Sequence, residues 1–463
     1  MKRLCLTFVC LFGGTALFQS PVFSEEIPAD LIARFEQLEK ETEAMRTELA
    51  ALKKEKSSQK TELYQPVEET KTPSQEIHDE VARQVQESAW KKGEAYIRPY
   101  GMFWASLIGA DARFAPADSV KMILPGDAYG QSVCTVAARC SRLGIDVKAP
   151  DAPILGGMEM SGRLEIDFMG DLGAVENKPS VLMRHAYWKM ENDTFLFLVG
   201  QTNDVISPLN SGSLNYFVNW FAGNIGYRNP QILFGRFFYP SERMRVDWKV
   251  SLSQLCGSDF NTSDHAGRYP TIQTRLGWTI ASCDPEQTPI QFGISAHIGE
   301  QCYNLALLHG TEDVTIDTWS VNADLTLPLT TRFGIRGEVF HGQGLAGVNG
   351  GVDQSVDFSL LRVADASLRS IHATGGWAEI WWDLTRKAKL TVGYGIDNPL
   401  DSDMDVAPIR SNSVLYTNIV YQFTPFLRTG VEYSYWKTLY REGYVGGDVG
   451  KANVVQWMWQ FEF

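Results

Sequence analysis

From residue 95 to the end of the chain, apolar and polar side chains alternate at every second position in segment after segment. The clearest segment runs from Arg243 to Leu252, where Val246, Trp248 and Val250 fall on one face and mostly charged residues fall on the other. Successive side chains of a strand point to opposite faces, so the pattern predicts strands with one apolar and one wet face. Sixteen such strands are predicted, at residues 95–110, 141–150, 157–169, 180–190, 194–203, 227–237, 243–252, 269–280, 289–299, 314–328, 332–342, 371–384, 388–397, 412–423, 426–437 and 452–463.

The last strand, from Val454 to Phe463, gives the sharpest indication of the fold. Trp457, Trp459 and Phe461 fall on one face, and the sequence ends on an aromatic residue. Aromatic residues at both ends of an apolar face are typical of strands that cross a membrane. A soluble sandwich could bury such a face too, but many strands with a charged second face favour a barrel that encloses water. We expect an all-β transmembrane barrel of about 16 antiparallel strands, closed by pairing of the last strand with the strand near 96–108.

The connections between the predicted strands alternate between short and long. Short turns such as 192–193 and 424–425 alternate with long loops such as 111–140 and 343–370. In outer-membrane barrels short turns face the periplasm and long loops face outside, and an even number of strands places both barrel ends in the periplasm.

The long loop at 203–226 is the candidate constriction loop, because a loop of this length can fold inward and narrow the lumen. Its aromatic and amide side chains are the ones that we expect to contact a solute: Asn210, Tyr216, Asn219 and Trp220. The alternative is a loop packed outside the barrel or at a subunit interface.

The first 94 residues predict three segments that precede the barrel at 95–463. Residues 1–24 have the basic start and short apolar run of a secretory signal peptide, with a membrane anchor as the alternative. Residues 25–56 carry an apolar heptad seam from Leu31 to Leu52, which predicts a short parallel coiled coil, or else a lone amphipathic helix. Residues 57–94 read as a polar linker with one candidate short helix.

Composition narrows the class of protein further. Aromatic residues make up 12% of the chain and Gly numbers 40, yet no apolar run of about 18 residues follows the signal segment, so no helical membrane domain is expected. The net charge of −13 argues against nonspecific binding of nucleic acid. We find no metal-binding spacing and no GxSxG nucleophile motif, so we expect no cofactor and no enzymatic activity. In an oxidising envelope, Cys134 and Cys140 could form a disulfide.

Charged residues of both signs fall on the predicted lumen face in nearly equal number. Arginine dominates the positive set, and its planar donors bind carboxylate or phosphate groups in a fixed fork, which favours anionic solutes. The alternative is that these charges pair across strands and only rigidify the wall. The arginines predicted to line the lumen on this basis are Arg142, Arg163, Arg236, Arg245, Arg275, Arg336 and Arg428.

Five short stretches resemble the succession of motifs found in DcaP-like porins. They are Ser141–Val147, Arg163–Phe168, Arg184–Tyr187, Gly200–Thr202 and Arg228–Ile232. The resemblance implies a trimeric outer-membrane channel with an N-terminal coiled-coil extension that takes up small, often negatively charged organic solutes. It also implicates Arg142, Arg163, Arg184 and Arg228 in pore lining or solute binding.

Together these features predict an outer-membrane porin with a periplasmic N-terminal extension, through which small hydrophilic anionic solutes enter passively. The expected partners are outer-membrane lipid, two further copies of the chain in a homotrimer, the solutes, and peptidoglycan through the coil. The alternative function is an envelope tether, in which the barrel only anchors a periplasmic coil to the cell wall.

Overall fold

The computed structural model of the protein describes residues 90–463 apart from 117, 127–129, 155–156, 172, 174–175, 256–266, 283, 285, 304–313 and 358–368. The predicted signal peptide, coiled coil and most of the linker lie outside the described residues. Sixteen long antiparallel strands and two short ones, at 90–92 and 133–137, form one sheet. The long strands are β1 (Ala95–Ala110), β2 (Arg142–Ala152), β3 (Met158–Asp167), β4 (Leu182–Glu191), β5 (Phe195–Asn203), β6 (Arg228–Ser241), β7 (Met244–Ser253), β8 (Thr271–Ile280), β9 (Ile290–Tyr303), β10 (Val314–Pro328), β11 (Phe333–Gln343), β12 (His372–Asp383), β13 (Ala388–Pro399), β14 (Ile409–Thr424), β15 (Leu427–Tyr440) and β16 (Val449–Glu462).

The sheet closes into a barrel between its first and last long strands. Met102 of β1 pairs with Glu462 of β16, and the register continues to the pair Ala110 and Val454. The backbones of Gly101 and Phe463 extend this pairing by exchanging two hydrogen bonds of 2.9 and 3.0 Å. The sixteen-stranded barrel and its predicted seam are therefore confirmed.

The two faces of the barrel wall differ as the alternation requires. In β7, Trp248 points outward and is 50% exposed, whereas the neighbouring Asp247 points inward and is 6% exposed. In β16, Trp457 and Trp459 are on the outer face while Gln460 is buried inside. Apolar side chains on the outer face and polar side chains on the inner face suit a barrel with lipid outside.

Short and long connections lie at opposite ends of the barrel, which we call the turn end and the loop end. β1 starts and β16 finishes at the turn end, as an even strand number requires. The strand at Trp90–Lys92 folds back on the start of β1, with Trp90 opposite Ile97, in a part of the sequence predicted as linker. Among the described residues, no helix combines the length and the apolar character needed to cross a membrane.

Three loops fold into the barrel at its loop end and pack on one another. The loop after β1 makes a small hairpin whose Ile123 carbonyl accepts a 2.7 Å hydrogen bond from the Tyr440 hydroxyl of β15. In the loop after β11, the Val348 carbonyl accepts a 2.7 Å hydrogen bond from the Gly226 amide of the loop after β5. Inward-facing side chains at this end, such as Trp436, are about 1% exposed. The packed core of this protein is thus inside the barrel, near the loop end.

The disulfide considered between Cys134 and Cys140 is not formed, which corrects the sequence analysis. Both are free cysteines: Cys134 is exposed, and Cys140 is buried beneath the barrel wall and the inward loops. A buried thiol of this kind acts as a small apolar side chain in the packing.

Candidate functional site

The loop between β5 and β6, residues 204–227, crosses the inside of the barrel. Glu338 of β11 holds its first part, because its carboxylate accepts hydrogen bonds from the Ser207 hydroxyl at 2.5 Å and the Leu209 amide at 2.8 Å. The loop therefore occupies the lumen, which was one of the two arrangements considered for it.

Two further glutamates continue this attachment around the wall. Glu379 of β12 accepts the Gly212 amide at 2.7 Å. Glu432 of β15 accepts the Ser213 hydroxyl at 2.9 Å and the Leu214 amide at 2.7 Å. Together these five hydrogen bonds to Glu338, Glu379 and Glu432 fix the loop to one side of the barrel.

The loop's base is held by Asp204, which is 5% exposed. Its carboxylate accepts hydrogen bonds from the Tyr227 amide at 2.8 Å, the Asn229 side chain at 2.9 and 3.0 Å and the Gln273 side chain at 2.9 Å. Burial raises the pKa of Asp204 to about 6, against the lowering effect of these hydrogen bonds. The group is therefore ionised at neutral pH and titrates in mildly acidic water.

The backbone of the loop at Ala222 and Gly223 lies directly against the backbone of β12 and β13. A Cβ on Gly395 would lie 2.2 Å from the Ala222 carbonyl oxygen, and one on Gly223 would lie 2.1 Å from the Gly376 carbonyl oxygen. Three residues just before this contact, Val218, Asn219 and Phe221, have φ between 45° and 68°. Such a backbone is uncommon for side chains other than Gly, and it persists only where surrounding contacts impose it.

The structure separates the four predicted loop residues. Asn210 is exposed and lines the water-filled space at the turn end. Tyr216 is buried, and its hydroxyl donates to Asp167 at 2.7 Å. Asn219 is fully buried, and Trp220 is buried beside Arg228. Asn210 is thus the one of these four that faces the cavity, and the other three are buried where the loop packs against the wall.

Beneath the loop, toward the turn end, lies a cavity of about 920 Å³. Loop residues 210–214 form its roof, and strands from several sides form its walls. Six basic residues line it against three acidic ones: Arg142, Arg336, Arg386, Lys387, Lys389 and Arg428 against Glu165, Asp383 and Glu462. The charge of this lining is therefore positive, although the chain as a whole is acidic.

Five of the nine predicted arginines are engaged by carboxylates of strands nearby in the wall. The shortest contacts are Arg163 to Asp146 at 2.7 Å, Arg184 to Glu165 at 2.6 Å, Arg275 to Asp324 at 2.7 Å, Arg336 to Glu379 at 2.5 Å and Arg428 to Glu462 at 3.4 Å. Arg184 also binds Asp167 at 2.7 Å, and Arg275 binds Asp247 at 3.2 Å. For these five, the pairing across strands that stood as the alternative is present.

Three other arginines have no carboxylate within 4 Å among the described residues: Arg142, Arg228 and Arg245. The side chain of Arg142 makes no hydrogen bond to the described residues, and its Nε is buried without a partner. Arg228 is 4% exposed between the rings of Trp220 and Tyr227, 5.3 and 4.8 Å away. Arg245 is exposed near the turn end over the ring of Phe237. Of the three, Arg142 is the one on the cavity wall.

Arg236 lies on the outer face of β6, which corrects its predicted place in the lumen. It shares that face with Phe234 and Phe238, which are 53% and 44% exposed. Its guanidinium stacks on Phe195 at 4.2 Å and donates to the Thr194 carbonyl at 3.1 Å. A long arginine side chain can rest on apolar surface while its head reaches polar groups at the rim, so charge alone did not determine its face.

Sequence reasoning missed two features of this site. Glu379 was not among the predicted lumen charges, although it lies on the inner face of β12 between Trp377 and Trp381, which are two residues before and after it. Trp104 was not predicted as a site residue either, although it shares the inner face of β1 with Met102 and Ser106, two residues before and after it. Strict period-two counting along both strands would have found these residues.

Comparison with solved structures agrees with this architecture. The crystal structure of the outer-membrane channel DcaP of Acinetobacter baumannii is similar with a TM-score of 0.61 and 17% identity, over 81% of this chain and 99% of that one. The anion-selective porin from Comamonas acidovorans is similar with a TM-score of 0.51 and 12% identity, over 80% of this chain and all of that one. No family model matches the sequence, and no curated protein matches it. The chain thus has the sixteen-stranded barrel fold of a DcaP-like porin.

Proposed function

We propose that the protein is an outer-membrane porin through which small hydrophilic anions diffuse passively. The turn end faces the periplasm, the loop end faces outside, and the loop at 204–227 narrows the lumen between them. The observation that carries the anion preference is Arg142, whose guanidinium has no carboxylate partner among the described residues and borders the cavity. The terminal nitrogens of Arg142, unlike its buried Nε, can reach a passing anion, whereas each paired arginine already contacts a carboxylate.

The excess of basic residues around the cavity supports the same direction of selectivity. A concave space with low-dielectric walls concentrates the field of its lining charges and raises the local concentration of ions of opposite sign. Passage needs binding that is weak enough to release the solute. Arg142 meets that requirement as a single guanidinium without a carboxylate partner among the described residues, while the paired arginines shape the wall.

A liposome-swelling experiment with the purified full-length protein tests this proposal. Gluconate, glucose and glucosamine have similar size and differ in charge, so their relative entry rates report the sign of the selectivity. We expect gluconate to enter fastest and the cationic glucosamine slowest. Equal rates for all three, or fastest entry of glucosamine, would contradict an anion channel.

The proposal also includes assembly as a homotrimer in the outer membrane, with the coil of residues 25–56 on the periplasmic side. The exposed apolar face of the barrel suits contact with lipid and with other subunits. The tether alternative depends on the coil, whose residues are outside those described. Deleting residues 31–60 separates the two functions: a porin still conducts in bilayers, whereas a tether loses its attachment to peptidoglycan in pull-down assays.

A further inference from the structure

An apolar patch borders Arg142 on the cavity wall. Trp104 and Met102 of β1 and Met458 of β16 face inward there, next to Leu214 of the roof loop. The inner wall of a water-filled barrel is expected to be polar. Apolar side chains beside Arg142, which has no carboxylate partner among the described residues, therefore call for an explanation.

Packing explains part of this patch, because the same side chains contact the buried face of the loop at 204–227. Even so, Trp104, Met102 and Met458 all border the cavity. The Trp104 indole N–H is already satisfied by the Ser106 hydroxyl at 3.0 Å. Trp104 is 8% exposed, so it presents to the cavity a small area of apolar ring and no free hydrogen-bond donor.

The guanidinium of Arg142 lies 5.8 Å from the ring centroid of Trp104. The nearest competing carboxylate, Glu165, is already held by Arg184 at 2.6 Å and by the Tyr100 hydroxyl at 2.9 Å. The guanidinium of Arg142 is therefore available to bind an anionic ligand. A carboxylate bound by it would bring its attached carbon skeleton against the indole.

We infer that Arg142 and Trp104 form a binding subsite for carboxylates that carry an aromatic ring, such as benzoate. A flat ring gains an offset or edge contact with the indole beyond simple apolar contact, and the methionine sulfurs are favourable neighbours for an aromatic ring. A hydrated inorganic anion gains nothing from this patch and loses water beside it. The inference rests on the proposed function, since it names the class of anion that the channel favours.

Blocking of chloride current in planar bilayers tests the subsite, with the full-length protein and two blockers added in turn. Benzoate and cyclohexanecarboxylate have the same charge and number of carbons, and only benzoate is flat and aromatic. We expect benzoate to half-block the current at a concentration about fivefold lower, within the range of an aromatic pair. Equal half-blocking concentrations in the wild type would overturn the inference even though anion conduction itself continued. Absence of anion current would instead overturn the proposed porin function.

Variants locate the effect within the cavity. Trp104→Leu should bring the ratio of the two half-blocking concentrations close to one, and Trp104→Phe should leave an intermediate ratio. Trp381→Leu is the matched control, because Trp381 lines the same cavity on β12 and lies outside the subsite. Each ratio is taken within one variant, so a change in total current does not affect it. A benzoate preference that survives Trp104→Leu, or that disappears in Trp381→Leu, contradicts the assignment of the subsite to Arg142 and Trp104. If Trp104→Leu does not fold, the ratios of half-blocking concentrations in Trp104→Phe and in the wild type decide the assignment.

Discussion

At the scale of single residues, inward-facing arginines differ in whether a carboxylate binds them, although their residue type is the same. Arginines at 163, 184 and 275 look alike in sequence to Arg142, yet each has a carboxylate partner and Arg142 has none among the described residues. Alternation predicted which face most of them occupy. Alternation could not predict pairing, because an inward arginine can reach carboxylates on several nearby strands, as Arg275 of β8 reaches Asp324 of β10.

The titration of Asp204 gives a prediction at this scale. Its pKa is raised to about 6 from 3.8, so between these values the folded protein binds more protons than the unfolded one. Its contribution to the free energy of unfolding therefore falls as pH rises through this window, by at most about 3 kcal/mol, and is constant above it.

Comparison with Asp204→Asn isolates this contribution. The free energy of unfolding of the wild type minus that of the variant, measured by urea titration in lipid vesicles at pH 4, 5.5 and 7, should decrease with rising pH. Asp193→Asn, in the exposed turn between β4 and β5, is the control and should show no such trend. A difference that is flat or increases with pH would show that Asp204 is not a buried acid with a raised pKa.

At the scale of elements, strands were easier to predict than loops. Each strand repeats a period of two over about ten residues, so single exceptions such as Arg236 did not move the boundaries far. The loop at 204–227 was considered as an inward loop because of its length and composition. The inward loops after β1 and β11 were not predicted, because their burial depends on contacts with distant strands, such as that between Ile123 and Tyr440.

Removing two of the three glutamate anchors tests how the loop is held. The double variant Glu338→Ala and Glu432→Ala loses the hydrogen bonds to Ser207, Leu209, Ser213 and Leu214. Each such hydrogen bond contributes about 0.5–1.5 kcal/mol, and four are lost together, so the loop should become mobile. We expect larger single-channel conductance with more open-channel noise. The control Glu442→Ala, in the exposed loop after β15, should behave as the wild type. Unchanged open-channel noise in the double variant would mean that other contacts hold the loop at 204–227.

At the scale of the whole molecule, closure of the barrel joins residues more than 340 positions apart in sequence, as in the 3.0 Å hydrogen bond between the Gln456 side chain and the Ser106 hydroxyl. Phe463 completes the seam through its backbone pairing with Gly101 and its ring contact with Phe103, centroid to centroid 5.0 Å. The seam could be predicted because the two strands are the first and last of an even set. The packed loop end could not, since no local pattern encodes it.

Deletion of Phe463 should therefore impair assembly more than conduction. The lost backbone pair and ring contact contribute about 1–3 kcal/mol to closure. We expect less heat-modifiable folded barrel in outer-membrane fractions, while the channels that do form keep the wild-type conductance. Phe463→Tyr retains the ring and should restore the folded amount. Normal folded amounts of the deletion protein, or normal amounts with altered conductance, would contradict this role.

We propose that the channel prefers anions because Arg142 has no carboxylate partner among the described residues. The reversal potential of the full-length protein in planar bilayers under a potassium chloride gradient measures this preference most directly. We expect an anion-selective potential that moves toward zero in Arg142→Gln and changes much less in Arg163→Gln, whose arginine is already paired with Asp146. A cation-selective potential in the wild type, or an equal change in both variants, would contradict it.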